Sequence, residues 1–276
     1  MCFGVKDAIA LALDAARLRP LTILGDLVHN ETVLAELRAR GIRIRQRPED
    51  VDTRAVMVTA HGASERAVDH ARRRGLDVLE ATCPLVRLAH QSLAKLVREG
   101  FYPVIVGQRD HVEVRGLTGD LEAFDVVLTE DDVARLAART RFGVVAQTTQ
   151  PVDRVRSLVQ GIRERFPQSE VRLVDTVCQP TKQRQNAAAE LAQRCDVVIV
   201  IGGRHSNNTH ELFRTCSRFC SRVYQVQTAA ELHDDWFQAV DRVGITAGTS
   251  TPDAVIDGVE WAIQALATAS HPVGRS

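Results

Sequence analysis

Val78-Leu79-Glu80-Ala81-Thr82-Cys83-Pro84-Leu85-Val86 is the stretch that decides the fold. An apolar strand over 78–81 runs into a cysteine, and a proline suited to the opening turn of a helix follows at once. Beyond it the periodicity predicts a helix over 86–97, then a strand over 103–106 that stops at Gly107, with His111 four residues further on. The same order recurs twice. Cys2 precedes a helical pattern over 5–18, a strand over 21–24, Gly25 and His29, while Cys178 precedes a helical pattern over 181–193, a strand over 197–201, Gly202 and Ser206. From cysteine to glycine the separations are 23, 24 and 24 residues, too regular for coincidence.

The second half of each unit repeats as well. Strands over 55–59, 142–146 and 243–246 lead into Ala60-His61-Gly62, Gln147-Thr148-Thr149 and Ala247-Gly248-Thr249-Ser250, each followed by a helix. Strands over 78–81 and 171–176 then feed Cys83 and Cys178. Alternating strand and helix of this length means parallel sheets with helical cover. The expected fold is therefore α/β, with three similar units at 1–82, 83–177 and 178–276 in a pseudo-threefold, trefoil arrangement. Ligands of such sheets sit beyond the carboxyl ends of the strands, where all the singled-out residues fall, so the three sets are expected to face one central cavity.

Composition narrows the function. The 276 residues carry 35 basic and 35 acidic side chains, and aromatics make up 4%. Nucleic-acid proteins show a basic excess or aromatic stacking platforms, and this chain has neither. No apolar run approaches the roughly 18 residues of a membrane span, and Met-Cys-Phe-Gly-Val-Lys-Asp is not a signal peptide. The expectation is a soluble cytoplasmic protein. Of the six cysteines, Cys195, Cys216 and Cys220 read as small buried hydrophobes. Cys2, Cys83 and Cys178 occupy the repeat, at helix starts where the dipole favours a thiolate.

Three convergent thiolates suggest a metal centre. A zinc ion with three cysteines and a water is one option, and a cubane iron–sulfur cluster with one open iron is another. The polar set around it is His29, His61, His111, Ser206, Asn207, Asn208 and Ser250, with the hydroxyls of Thr148 and Thr149. Such donors suit a diphosphate, aided by N–H groups at helix starts. Glu113, the carboxylate in the loop two residues after His111, can serve as a proton donor. Each has an ordinary reading too. Ser206-Asn207-Asn208-Thr209 is a good loop and N-cap sequence, Gln147-Thr148-Thr149-Gln150 could cap the next helix, and Glu113 could be a solvated loop charge. The shared register favours the functional reading.

Leu27-Val28-His29-Asn30, Ala60-His61-Gly62, Ala81-Thr82-Cys83-Pro84-Leu85-Val86, His111-Val112-Glu113-Val114-Arg115-Gly116, Gln147-Thr148-Thr149 and Thr246-Ala247-Gly248-Thr249-Ser250-Thr251-Pro252-Asp253 together resemble the 4-hydroxy-3-methylbut-2-enyl diphosphate reductase family. The resemblance runs over essentially the whole chain. It implies a [4Fe-4S] cluster on Cys2, Cys83 and Cys178, and reductive dehydroxylation to isopentenyl and dimethylallyl diphosphates, the last step of the methylerythritol phosphate (non-mevalonate) pathway. It further implies substrate binding by His29, His61, His111, Thr148, Ser206, Asn207, Asn208 and Ser250. Catalytic roles would fall to Glu113, Thr148 and His111, and electrons would come from a ferredoxin or flavodoxin.

Several positions depart from the family pattern. Val112 stands where the family has proline, Glu80 where it has aspartate, and Pro180 where alanine is frequent. The family also has a strand and turn ahead of its first cysteine, whereas Met1 adjoins Cys2 here. The expectation is a third sheet lacking its closing strand, through a displaced start site or a truncation, with weakened hold on the cluster. The competing expectations are a truncated or inactive homologue that binds diphosphate, and a three-cysteine zinc hydrolase.

Overall fold

The computed structural model describes residues 1–269. The first block contains α1 (Phe3–Leu18), β1 (Leu21–Leu24), α2 (Glu31–Ala39), β2 (Arg43–Arg45), β3 (Ala55–Val58), α3 (Glu65–Arg73) and β4 (Asp77–Glu80). The second contains α4 (Pro84–Arg98), β5 (Tyr102–Val106), α5 (Val112–Thr118), β6 (Asp125–Val127), α6 (Glu130–Ala134), β7 (Arg141–Ala146), α7 (Val152–Arg165) and β8 (Glu170–Leu173). The third contains α8 (Gln179–Ala192), β9 (Val197–Ile201), α9 (Asn207–Cys216), β10 (Val223–Val226), β11 (Val243–Ala247) and α10 (Asp253–Ala269).

All strand pairs are parallel, and the sheet orders are β2-β1-β3-β4, β6-β5-β7-β8 and β10-β9-β11. The strand after each cysteine-led helix (β1, β5, β9) is thus central every time. Among the described residues, β11 pairs with β9 alone, whereas β3 and β7 each have two partners. Residues 270–276, the tail of the third expected unit, lie outside the described residues.

The chain divides into two compact units. The larger, Phe3–Val28 with Leu34–Gln179, holds the first two sheets; the other, Met1–Cys2 with His29–Val33 and residues from Pro180 onward, holds the third.

Central strands of parallel sheets are covered on both faces, so they read as unbroken apolar runs. In the second sheet Val104, Val106, Phe142, Val144 and Ala146 share one core with Val155, Leu158, Val159 and Ile162 of α7. Ile105 and Val145 pack on the other face with Ala89, Leu93 and Leu96 of α4 and with Val114 and Leu117 of α5. In the third sheet Val198 and Val200 meet Ala188, Ala192, Leu212, Cys216 and Cys220, while Val197, Ile199 and Ile201 meet Val226 and Val259. Cys216 and Cys220 are thus core residues, and burial pushes the Cys216 thiol up to about 11. The Cys216 thiol is therefore inert at neutral pH.

Two local expectations need correction. The segment at Asn207 is not a loop: α9 begins there, with Ser206 as its N-cap. Likewise Glu113 lies in the first turn of α5 rather than in a loop, because the His111 ring caps that helix.

Phe142 is fully buried between Tyr102 and Phe166, with ring centroids 6.4 and 5.1 Å away. Phe142→Ala is expected to cost about 3–5 kcal/mol of unfolding free energy. Urea unfolding followed by circular dichroism checks this, and a loss below about 1 kcal/mol would contradict the packing described.

Candidate functional site

Each of Cys2, Cys83 and Cys178 is the residue immediately before a helix. The backbone repeats with it. Cys83 N–H donates to Ala60 O (3.0 Å), Cys178 N–H to Thr148 O (3.0 Å) and Cys2 N–H to Thr249 O (2.9 Å). Every acceptor lies just past the end of β3, β7 or β11, so each cysteine is tied to the tip of a strand-end loop. The Cys83 thiol also lies against Gly4, two residues after Cys2. A Cβ added there would stand 2.5 Å from Cys83 Sγ, so only glycine lets α1 pass.

The larger unit holds a continuous polar line. The His61 and His111 rings meet edge to face with centroids 5.6 Å apart. Glu113 N–H donates to His111 Nδ1 at 3.1 Å. The Glu113 carboxylate, 1% exposed, accepts from Thr148 N–H at 2.6 Å and from Thr148 Oγ1–H at 2.9 Å. Thr148 O in turn holds Cys178. Burial pushes the Glu113 carboxyl from 4.5 up to about 7, although both bonds from Thr148 pull the other way. A buried carboxyl with no cation beside it sheds its proton only reluctantly, so near neutrality it can give and take one. The solvated-charge reading of Glu113 is excluded by its burial.

The other unit gathers the remaining candidates. Ser206 Oγ accepts from Thr209 N–H (3.3 Å), and the first turn of α9 buries Asn207, Asn208 and Thr209. Ser250 Oγ–H donates to the His29 carbonyl at 3.4 Å, and Gly203 lies so close to that carbonyl that a Cβ would not fit. Asn208 is 2% exposed, yet neither its Oδ1 nor its Nδ2 has a hydrogen-bond partner. A native fold leaves a buried amide unsatisfied at a cost of a few kcal/mol unless a ligand or water answers it.

The structure adds buried polar residues that the sequence reading did not single out. Gln147, fully buried, accepts from Gln108 N–H (3.1 Å) and from Gln150 Nε2 (3.1 Å), so it braces the loop that carries Thr148. Thr181 and Gln185, one helical turn apart on α8, are buried too. Their i, i+4 spacing after Cys178 was the available signal.

Among the described residues no three His, Cys, Asp or Glu side chains are gathered as a ready metal site. The fit to a cluster therefore rests on donor chemistry. None of the cysteines is disulfide-bonded, and the three of the repeat share one backbone setting.

The LytB protein family matches residues 1–264 of the chain. Among curated proteins, the 4-hydroxy-3-methylbut-2-enyl diphosphate reductase of Geobacter sulfurreducens is 38% identical over 265 residues, covering 95% of this chain and 93% of that one. The protein of the same name from Trichlorobacter lovleyi is 40% identical over 260 residues, covering 94% and 92%. A solved E-1-hydroxy-2-methyl-but-2-enyl-4-diphosphate reductase from Plasmodium falciparum superimposes with a TM-score of 0.89 at 25% identity, covering 99% of this chain and 86% of that one. A second, described as the terminal enzyme of the non-mevalonate pathway, gives 0.69 at 35% identity and covers 96% of both. Parallel sheets with this site chemistry and these relatives define an α/β reductase. The chain belongs to the LytB protein family.

Glu113 has a consequence for stability. Its carboxyl is raised in the folded protein, so the contribution to stability is full below about pH 4.5 and is lost as pH rises through about 7. By linkage the loss is on the order of 3 kcal/mol by pH 8. Glu113→Gln is expected to remove it, so its stability relative to wild type should rise between pH 5 and pH 8 in paired urea titrations. A difference independent of pH would show that Glu113 keeps an ordinary pKa.

Proposed function

We propose that the chain reduces 4-hydroxy-3-methylbut-2-enyl diphosphate to isopentenyl and dimethylallyl diphosphates, closing the non-mevalonate route to isoprenoids. The observation that carries the chemistry is the buried Glu113–Thr148 pair. Loss of an allylic hydroxyl as water needs a proton at that oxygen in a place shielded from solvent. Neutral Glu113 supplies it: Oε2–H donates to Thr148 Oγ1, whose own proton then turns toward the departing hydroxyl. His111 holds Glu113 in place through the Glu113 N–H and presents its ring beside His61.

The diphosphate is bound by His29, His61, His111, Ser206, Asn207, Asn208 and Ser250. The unanswered amide of Asn208 supports this, since a phosphate oxygen would accept from its Nδ2. Cys2, Cys83 and Cys178 would hold a [4Fe-4S] cluster, which when bound supplies electrons and a Lewis-acidic iron. The electrons come from a one-electron carrier of the ferredoxin or flavodoxin type. The shared setting of the three cysteines supports a division into repeat units at 1–82, 83–177 and 178–276. Among the described residues no helix is long and apolar enough to cross a membrane. Six cysteines without a disulfide suit the reducing cytoplasm, where we place the activity.

Anaerobic purification with iron and sulfide analysis tests the cluster. About four of each per chain are expected, falling in Cys83→Ser and Cys178→Ser, and stoichiometric zinc instead would overturn the reading. For the chemical step, kcat should fall as pH rises through about 7, the range in which Glu113 ionises. Glu113→Gln should lower kcat by roughly 10²–10⁴ and flatten that profile. Unchanged turnover in Glu113→Gln would remove the assigned proton role.

A further inference from the structure

We infer that Asp120 is a positioning residue that sets His61 against His111, and so tunes diphosphate binding without touching the ligand. The inference rests on the placement of the diphosphate at these two imidazoles. His61 lies in the connection from β3 to α3, where Gly62 turns the chain with φ +77° and donates its N–H to Thr59 O at 3.1 Å. The far side of that connection is the start of α3, whose first N–H groups have no partner within the helix. Ser64 Oγ takes the N–H of Ala67 at 3.2 Å. Asp120 takes two more, from Glu65 at 2.8 Å and from Arg66 at 2.9 Å, one on each carboxylate oxygen.

Asp120 stands two residues beyond the end of α5, and His111 caps the beginning of that helix. Seven residues of helix are a rod of about 10 Å. One end of the rod carries His111 and the other carries the carboxylate that grips α3. The rod lies close along the His61 connection. A Cβ on Gly119 would stand 2.7 Å from Ser64 Cβ, and one on Gly116 would stand 3.4 Å from the Gly62 carbonyl. The edge-to-face pair of His61 and His111, at 5.6 Å, is thus held by contacts at both ends of α5.

What lies behind the clamp makes it decisive. A cavity of about 460 Å³ adjoins it, lined by Ala63, Glu65, His90, Leu117, Asp120 and Leu121 among others. His90 sits under the same turn, its Nε2 buried without a partner and 3.2 Å from where a Cβ on Gly62 would be. On this side the carboxylate of Asp120 is the hydrogen-bonding link between the end of α5 and the start of α3.

The test pairs two readouts in the intact protein. The first is the cross-relaxation between the His61 and His111 ring protons, read by NMR of histidine-labelled protein. It is expected to be clear in wild type and lost in Asp120→Ala. The second is calorimetric titration with inorganic diphosphate, with steady-state kinetics alongside. Losing a helix cap of this kind should weaken diphosphate binding and raise KM about tenfold, with kcat held within about twofold. Asp120→Asn, which keeps one acceptor oxygen, should fall between wild type and alanine. Retention of the ring contact in Asp120→Ala, or a fall in melting temperature with diphosphate affinity unchanged, would overturn the inference. His61→Ala separates it from the reading beneath. Unchanged diphosphate affinity there would remove the imidazoles from the ligand site, and the ring contact alone would then judge the clamp.

Discussion

The bond from a cysteine N–H to the carbonyl of a strand-end loop, made three times over, is the constraint on which the rest depends. It fixes each thiol to the tip of a parallel sheet and starts a helix in the same stroke. The helix after each cysteine leads into the central strand of a sheet, and α4 and α8 carry the chain from one sheet to the next. The glycine that ends each central strand and the polar residue four further on therefore fall at the same place in every unit. Gly4 shows how little slack this leaves, because the start of α1 passes the Cys83 thiol with no room for a side chain.

Electrostatics adds a second layer. The larger unit buries a carboxylate without a cation beside it, and accepts the penalty. Stability alone would select an apolar residue at such a position. The two bonds from Thr148 offset part of the cost and hold the carboxylate in one orientation. Asn208 is a parallel case in the other unit, an amide with nothing in the protein to answer it. Both departures from ordinary core chemistry fall in the first turn of a helix at the carboxyl end of a central strand, one following β5 and the other β9.

The central strands were legible because burial on both faces turns them into plain apolar runs, as in Val197–Ile201. The repeat was legible because the cysteine-to-glycine spacing is a property of one helix plus one strand. The edge strands β2 and β6 were not. Arg43-Ile44-Arg45 and Asp125-Val126-Val127 are three residues long, too short to carry a periodic signal. The start of α9 was misplaced because two asparagines suit a loop better than a helix. Their burial is a tertiary fact. The grip of Asp120 on α3, across 54 residues, likewise has no local signature.

The link between Cys2 and Thr249 joins residues almost a full chain apart. Met1 and Cys2 pack with the unit that holds the third sheet, so their seat exists only once that sheet has been made. Closure over such a separation carries a large loop-entropy cost and belongs late in folding. A chain stalled short of β11 lacks the acceptor for the Cys2 N–H, whereas those for Cys83 and Cys178 are already in place.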